Sequence, residues 1–172
     1  MNIFWFRRDL RLEDNVALFK ASLENETVIP LFIFDVDIIE SLQKDDARIS
    51  FIYETLKDID TELKKLNSSL LVKIGKPIEV WKELTSDYNV DKVFFNKDYE
   101  PYAITRDLEI TQFLNSINTE VCSFKDQVVF EESEIVKNDG LPYTVFTPYK
   151  NKWLLQFKDI LLPENKYSPN FY

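Results

Sequence analysis

The sequence predicts an α/β domain with a mostly parallel sheet, on three observations. Short apolar runs alternate with amphipathic stretches at helical spacing over the first two thirds of the chain. Residues 27–34 (TVIPLFIF) are apolar almost without a break, as strands buried on both faces are. Residues 45–67 carry Ile49, Ile52, Leu56, Ile59, Leu63 and Leu66 at alternating spacings of three and four, one stripe for a helix lying on a sheet.

The elements follow in order. Ile3-Phe4-Trp5-Phe6 is a short first strand. Asp14-Asn15 is a helix N-cap pair ahead of Val16-Ala17-Leu18-Phe19. The second strand, 27–34, is closed by Asp35 and Asp37, and the long helix 45–67 follows it. A third strand spans 69–74 and is ended by Gly75. Pro77 suits the first turn of a helix carrying Trp81, Leu84 and Tyr88. Residues 92–95 form a fourth strand, Pro101 opens a helix with Ile104, Leu108, Phe113, Leu114 and Ile117, and 119–124 is a fifth strand. This β-α-β-α-β-α-β-α-β order implies a Rossmann-like three-layer sandwich with helices on both faces. Val128–Phe130 and the Asp139-Gly140 turn then suggest an irregular or hairpin segment. Residues 149–162 read as a last amphipathic helix with Trp153, Phe157, Ile160 and Leu161 on one side. Pro163 and Pro169 sit in a polar tail.

Composition narrows the chemistry. The chain has 172 residues, 45% hydrophobic and 30% charged, which suits one domain with a proper core. There is no apolar run of membrane-spanning length and no secretory signal pattern, so a cytoplasmic location is expected. The single cysteine, Cys122, excludes an internal disulfide and any cysteine-cluster metal site. The chain lacks histidine, which removes Ser-His-Asp and Cys-His catalysis, His-ligated metals and imidazole acid–base chemistry. A net charge of −9 argues against this domain gripping nucleic acid by itself.

The chemistry concentrates in two segments at the carboxyl ends of strands, where open α/β sheets place their ligands. The first is 4–15 (FWFRRDLRLEDN), a strand that runs into Arg7, Arg8, Asp9 and Arg11. Only Gly75 and Gly140 are glycines, so no glycine-rich dinucleotide loop or P-loop exists. Any anionic or planar ligand there is held by arginine side chains. The plain alternative is that Arg7, Arg8 and Arg11 pair with Asp9, Glu13 and Asp14 and shape the turn. That suits Asp9, Arg11 and Asp14, while Arg8 is a candidate for ligand contact. The second segment is 96–107 (NKDYEPYAITRD), which follows the fourth strand. Asp98 and Glu100 are expected to face the same crevice as Arg8, where carboxylates accept hydrogen bonds from a planar heterocycle. Their plainer role is to favour a helix N-terminus. Tyr99 and Tyr102 are candidates for ring stacking, with core packing as the commoner fate.

The wording of these segments resembles one family. W-F-R-R-D-L-R-L-x-D-N in residues 5–15, N-x-D-x-E-P-Y-x-x-x-R-D in 96–107 and V-F-T-P-Y-x-x-x-W in 145–153 resemble, in the same order, blocks of the photolyase and cryptochrome family. The branch most like this chain is the deoxyribodipyrimidine photolyases, light-dependent DNA repair lyases. The resemblance implies a strand order of 3-2-1-4-5 and an N-terminal light-harvesting domain over residues 1–160. It further implies that residues 161–172 begin a linker to a C-terminal helical domain that binds FAD and lies outside this chain. By the same resemblance, Arg8, Phe32 and Asp98, with Arg48 and Glu100, line a pocket for an antenna chromophore. An 8-hydroxy-5-deazaflavin or FMN is expected there in preference to folate, because folate-binding members carry an acidic residue where this chain has Tyr102-Ala103. The antenna passes excitation to FAD, whose excited reduced form splits a cyclobutane pyrimidine dimer.

Several expectations follow from that likeness. No residue of this chain is catalytic or binds metal, and the chain alone is inactive. Its partner is the FAD domain, which alone contacts damaged DNA, and the protein is monomeric with no membrane association. A cryptochrome photoreceptor would share the same domain. A free-standing interaction module that has lost the pocket is a second alternative, told apart by polar residues on its outer face. A small nucleotide-binding protein with a related sheet is a third, weakened by the missing glycine loop.

Overall fold

The computed structural model describes residues 1–24, 26–158 and 160. Five strands, β1 (Asn2–Phe6), β2 (Val28–Asp35), β3 (Leu71–Gly75), β4 (Lys92–Asn96) and β5 (Glu120–Phe124), form one parallel sheet in the order β3-β2-β1-β4-β5. The helices are α1 (Val16–Ser22), α2 (Val36–Ile39), α3 (Ala47–Lys65), α4 (Pro77–Asp87), α5 (Pro101–Ser116) and α6 (Phe146–Phe157). The predicted architecture and strand order are those observed.

Side-chain alternation along the strands builds two cores. Phe4, Phe6, Phe32 and Phe94 face α1 and α3, against Leu18, Leu56 and Leu63. Ile3, Trp5, Ile33 and Phe95 face α4 and α5, against Trp81, Leu84, Ile110 and Leu114. Complete burial of one such side chain contributes about 1.5–3 kcal/mol. The central strand β1 is buried along its whole length and so anchors both cores. It pairs with β2 from Asn2↔Val28 to Phe6↔Phe32 and with β4 from Asn2↔Lys92 to Phe4↔Phe94. The chain runs outward from β1 through β2 to β3, then returns to β4. The sheet's switch point therefore lies at the carboxyl ends of β1 and β4.

The structure corrects three details of the sequence reading. One turn of helix, α2, follows β2 directly, because the Asp35 side chain accepts a hydrogen bond from the Asp37 N–H at 3.1 Å and caps it. On α5 the buried positions are Ala103, Ile110 and Leu114, whereas Ile104, Leu108 and Ile117 are exposed. The small Ala103 sits nearest the sheet's carboxyl edge, where the helix passes over the strand ends. Helix α6 begins at Phe146 and not at 149, since Pro148 falls in the first turn, where the missing N–H has no helical partner to lose. Residues 128–130 form no strand, and the Asp139-Gly140 turn is a local loop closed by Lys137 N–H to Leu141 C=O at 2.9 Å. On α6, Trp153 stacks on Phe157 at 4.8 Å and meets Phe130 edge-on at 5.4 Å, while Phe146 and Leu155 stay exposed. Leu161 and the expected linker 161–172 lie outside the described residues. Among the described residues no helix is long and apolar enough to cross a membrane.

Candidate functional site

The loop after β1 is held by a polar knot with Asn96 at its centre. Asn96, the last residue of β4, is nearly buried. Its Nδ2 donates to Asp9 Oδ2 at 2.5 Å and to Asn15 Oδ1 at 2.8 Å, and its Oδ1 accepts from the Ala17 N–H at 3.0 Å. Asn15 Oδ1 also caps α1 by accepting from the Leu18 N–H at 3.1 Å. Asp9 Oδ1 accepts from the Arg7 N–H at 2.9 Å, which turns the chain sharply out of the strand. The switch point is thus rigid, and three arginines leave it in different directions.

Their partners differ from the expected ones. Arg7 reaches to α5 and pairs with Asp107. Arg8 binds Glu100 at 2.6 Å and lies 3.5 Å from Asp98. Arg11 pairs with Asp126 at 2.7 Å and donates to the main-chain carbonyl of Asp14 at 3.0 and 2.7 Å. Glu13 takes no part in these pairs. The local spacing suggested neighbours in sequence, and Arg11 keeps one in the Asp14 carbonyl, but the turn also brings each guanidinium to an element supplied by the sheet. Burial lowers the pKa of Arg7, and Asp107 opposes that by stabilising the cation. An arginine so paired stays charged.

Beside Arg8 a cleft of about 350 Å³ opens over the carboxyl ends of β1 and β2, between α3, α2 and the start of α5. Small-molecule sites typically run from about 300 to 1,000 Å³. Arg8, Phe32, Arg48, Asp98 and Glu100, all singled out from the sequence, line this one cleft. Phe32 and Phe34 meet edge-on at 4.9 Å and, with Ile38, Leu42, Ile49 and Ile52, give it an apolar wall. Arg8, Asp98 and Glu100 give it one polar end. Asp98 is 9% exposed, a sheltered carboxylate, whereas Glu100 is open to solvent. Arg48 stands on the first turn of α3, mostly exposed, and clasps Asp46 through Nε at 2.9 Å and Nη2 at 2.6 Å. Those hydrogen bonds lower the pKa of Asp46 to about 2.

Tyr102, a stacking candidate from the sequence, also lines the cleft, together with residues that the sequence reading did not place there. The Tyr102 hydroxyl donates to Asp35 Oδ2 at 2.6 Å, joining α5 to the end of β2 across the cleft. Trp5 and Arg106 also line it. Asp35 at a strand's carboxyl end and Arg106 within the 96–107 segment were the available signals. Tyr99 points elsewhere: its hydroxyl donates to Glu131 Oε1 at 3.1 Å, beside a shallower depression of about 440 Å³. The cleft therefore combines an apolar wall for a flat ring system with clustered acceptors and guanidinium groups from Arg7, Arg8, Arg48 and Arg106. That set suits a planar heterocycle with both N–H and carbonyl groups.

The family model described as DNA photolyase matches residues 2–169. The deoxyribodipyrimidine photolyase of Synechococcus sp. is 30% identical over 156 residues, covering 91% of this chain and 32% of that protein. Cryptochrome-1 of Spalax judaei is 31% identical, covering 80% of this chain and 24% of that protein. Among solved structures, the archaeal photolyase from Sulfolobus tokodaii superposes with a TM-score of 0.79 at 30% identity, covering 98% of this chain and 37% of that one. The chain thus spans about a quarter to a third of the length of these curated relatives. With its sheet order, its switch-point cleft and these matches, the chain belongs to the DNA photolyase family and forms the N-terminal α/β domain of the photolyase and cryptochrome fold.

Proposed function

We propose that this domain harvests light for a FAD-dependent DNA photolyase, with an antenna chromophore in the cleft lined by Arg8, Phe32, Arg48, Asp98 and Glu100. The observation that carries the reading is the convergence of these five side chains, from β1, β2, α3 and the β4–α5 connection, on one cavity of about 350 Å³. A deazaflavin or flavin suits the donor set, in which Asp98 and Glu100 accept from ring N–H or O–H groups, Arg8 donates to a carbonyl and Phe32 lies against the ring. The preference over folate rests on Tyr102-Ala103, where folate-binding members carry an acidic residue. The Sulfolobus tokodaii photolyase was solved with two FAD molecules and taken to imply a novel light-harvesting cofactor, which supports a flavin-type occupant. The chromophore would supply absorption and excitation transfer. The protein's part is to bind, orient and shield it. Excitation would pass to FAD in a C-terminal domain of the kind its relatives' length leaves room for, and that domain would repair cyclobutane pyrimidine dimers in a cytoplasmic, monomeric enzyme.

Titration of the chain with a deazaflavin, FMN, FAD and a reduced folate, followed by fluorescence, tests the reading. Saturable binding of one of the first three, weakened by Asp98→Ala, is expected. Binding of none, or of folate alone, would overturn it. The cryptochrome relative favours a second reading, a blue-light photoreceptor using the same domain. Light-driven dimer repair by the full-length protein separates the two.

A further inference from the structure

Trp5 is 2% exposed and lines the cleft. Two guanidinium groups lie against its ring, Arg7 with Cζ 5.2 Å and Arg106 with Cζ 5.0 Å from the centroid. Both bind the same carboxylate. Asp107 Oδ2 accepts from Arg7 Nη1, and Asp107 Oδ1 accepts from Arg106 Nε at 3.1 Å and Nη2 at 2.9 Å. Two cations share this anion, and both guanidinium groups rest against the indole. The three side chains are only 6%, 10% and 15% exposed, so water screens their charges weakly. Asp9, a further carboxylate, is held by the neutral Arg7 main-chain N–H, Asn15 and Asn96, and its charge also acts on Arg7. A second indole, Trp81, stands edge-on to Trp5 at 5.6 Å, and its buried Nε1 has no hydrogen-bond partner among the described residues.

Tryptophan is readily oxidised by one electron, and an excited flavin-type chromophore is a strong one-electron oxidant. Transfer of one electron from Trp5 would leave an indole radical cation and a chromophore reduced by that electron. Return of the electron would then dissipate the excitation as heat. A positive charge at about 5 Å raises the cost of the radical cation. Moving the hole on to Trp81 offers no escape, because trapping it there requires an acceptor for the Nε1 proton and none lies among the described residues.

We propose that the Arg7–Asp107–Arg106 triad is an electrostatic insulator that keeps Trp5 from quenching an excited chromophore in the cleft. It rests on the chromophore-site reading above. With FMN bound to the full chain, Arg106→Gln should shorten the FMN fluorescence lifetime several-fold and give a transient tryptophan-radical absorption. Adding Trp5→Phe to that variant should restore the lifetime. An unchanged lifetime in Arg106→Gln, no restoration in the double variant, or a several-fold longer lifetime in Trp5→Phe alone would overturn the proposal. A second measurement needs no bound chromophore. Flash excitation of free riboflavin with the ligand-free chain should give a several-fold higher Trp5-dependent radical yield in Arg106→Gln than in the wild type, and equal yields would overturn the proposal. Should FMN fail to bind, the chromophore reading falls, while the riboflavin measurement still decides what the triad does to Trp5.

Discussion

Arg7, just past the end of the central strand, pairs with Asp107, 100 residues further along the chain, and the pair locks α5 over the sheet's switch point. The same carboxylate also holds Arg106. Removing it strands two guanidiniums in a poorly hydrated site. Breaking a buried pair in this way costs about 3–5 kcal/mol. Asp107→Ala is therefore expected to lower stability by about that much in urea denaturation. A loss well under 1 kcal/mol would mean that the two arginines find water or other partners when Asp107 is gone.

Asn96 makes a different kind of demand. It satisfies the buried Ala17 N–H, the Asn15 side chain and Asp9 at once. A buried polar group left without a partner costs about 1–3 kcal/mol. Asn96→Ala leaves more than one, so a loss at or above the top of that range is expected. The arginine turn should also loosen, raising amide exchange at residues 7–9. Normal stability with unchanged exchange would show that the turn is held by β1 alone.

These two residues mark where sequence reasoning stops. The strands were legible because apolar runs and alternation are local properties, Arg8 could be placed at the cleft because strand ends are where such sheets bind ligands, and Phe32 entered through the family resemblance. The partners of Arg7 and Arg11 were not legible, since they depend on which distant element the sheet brings near. On α5 the sequence reading listed Ile104, Leu108, Phe113, Leu114 and Ile117, of which Leu114 turns inward, together with the unlisted Ala103 and Ile110. Asp35 was read as a strand terminator, and its second role, accepting from Tyr102, needs the crossover between β2 and α5.

Two tyrosines set a pH limit. Burial first, and then the hydrogen bonds to Asp35 and Glu131, raise the pKa of Tyr102 and Tyr99 above that of an unfolded tyrosine. The folded state thus holds these protons longer than the unfolded state. Their contribution to stability is fully present below the unfolded tyrosine pKa, about 10, and is lost as pH rises above it. Thermal midpoints should fall from about pH 10 upward. Tyr99→Phe/Tyr102→Phe should flatten that decline. An equally steep decline in the double variant would assign it to the lysines.

The cleft makes the sharpest prediction, because its polar residues differ in how they are held before any ligand arrives. Asp98 is sheltered and Arg8 is already oriented by Glu100 at 2.6 Å, so both meet a ligand preorganised. A hydrogen bond to a charged group contributes about 1.5–3 kcal/mol. Asp98→Ala and Arg8→Ala should therefore each weaken FMN or deazaflavin binding by roughly ten- to a hundredfold while leaving the thermal midpoint nearly unchanged. Arg48 is mostly exposed and clasps Asp46. It must give up that partner to reach a ligand, so Arg48→Ala should cost less than about tenfold. Fluorescence titration of the three variants gives the ranking. A larger loss for Arg48→Ala than for Asp98→Ala would move the recognition end of the cleft from the β4–α5 connection to the start of α3.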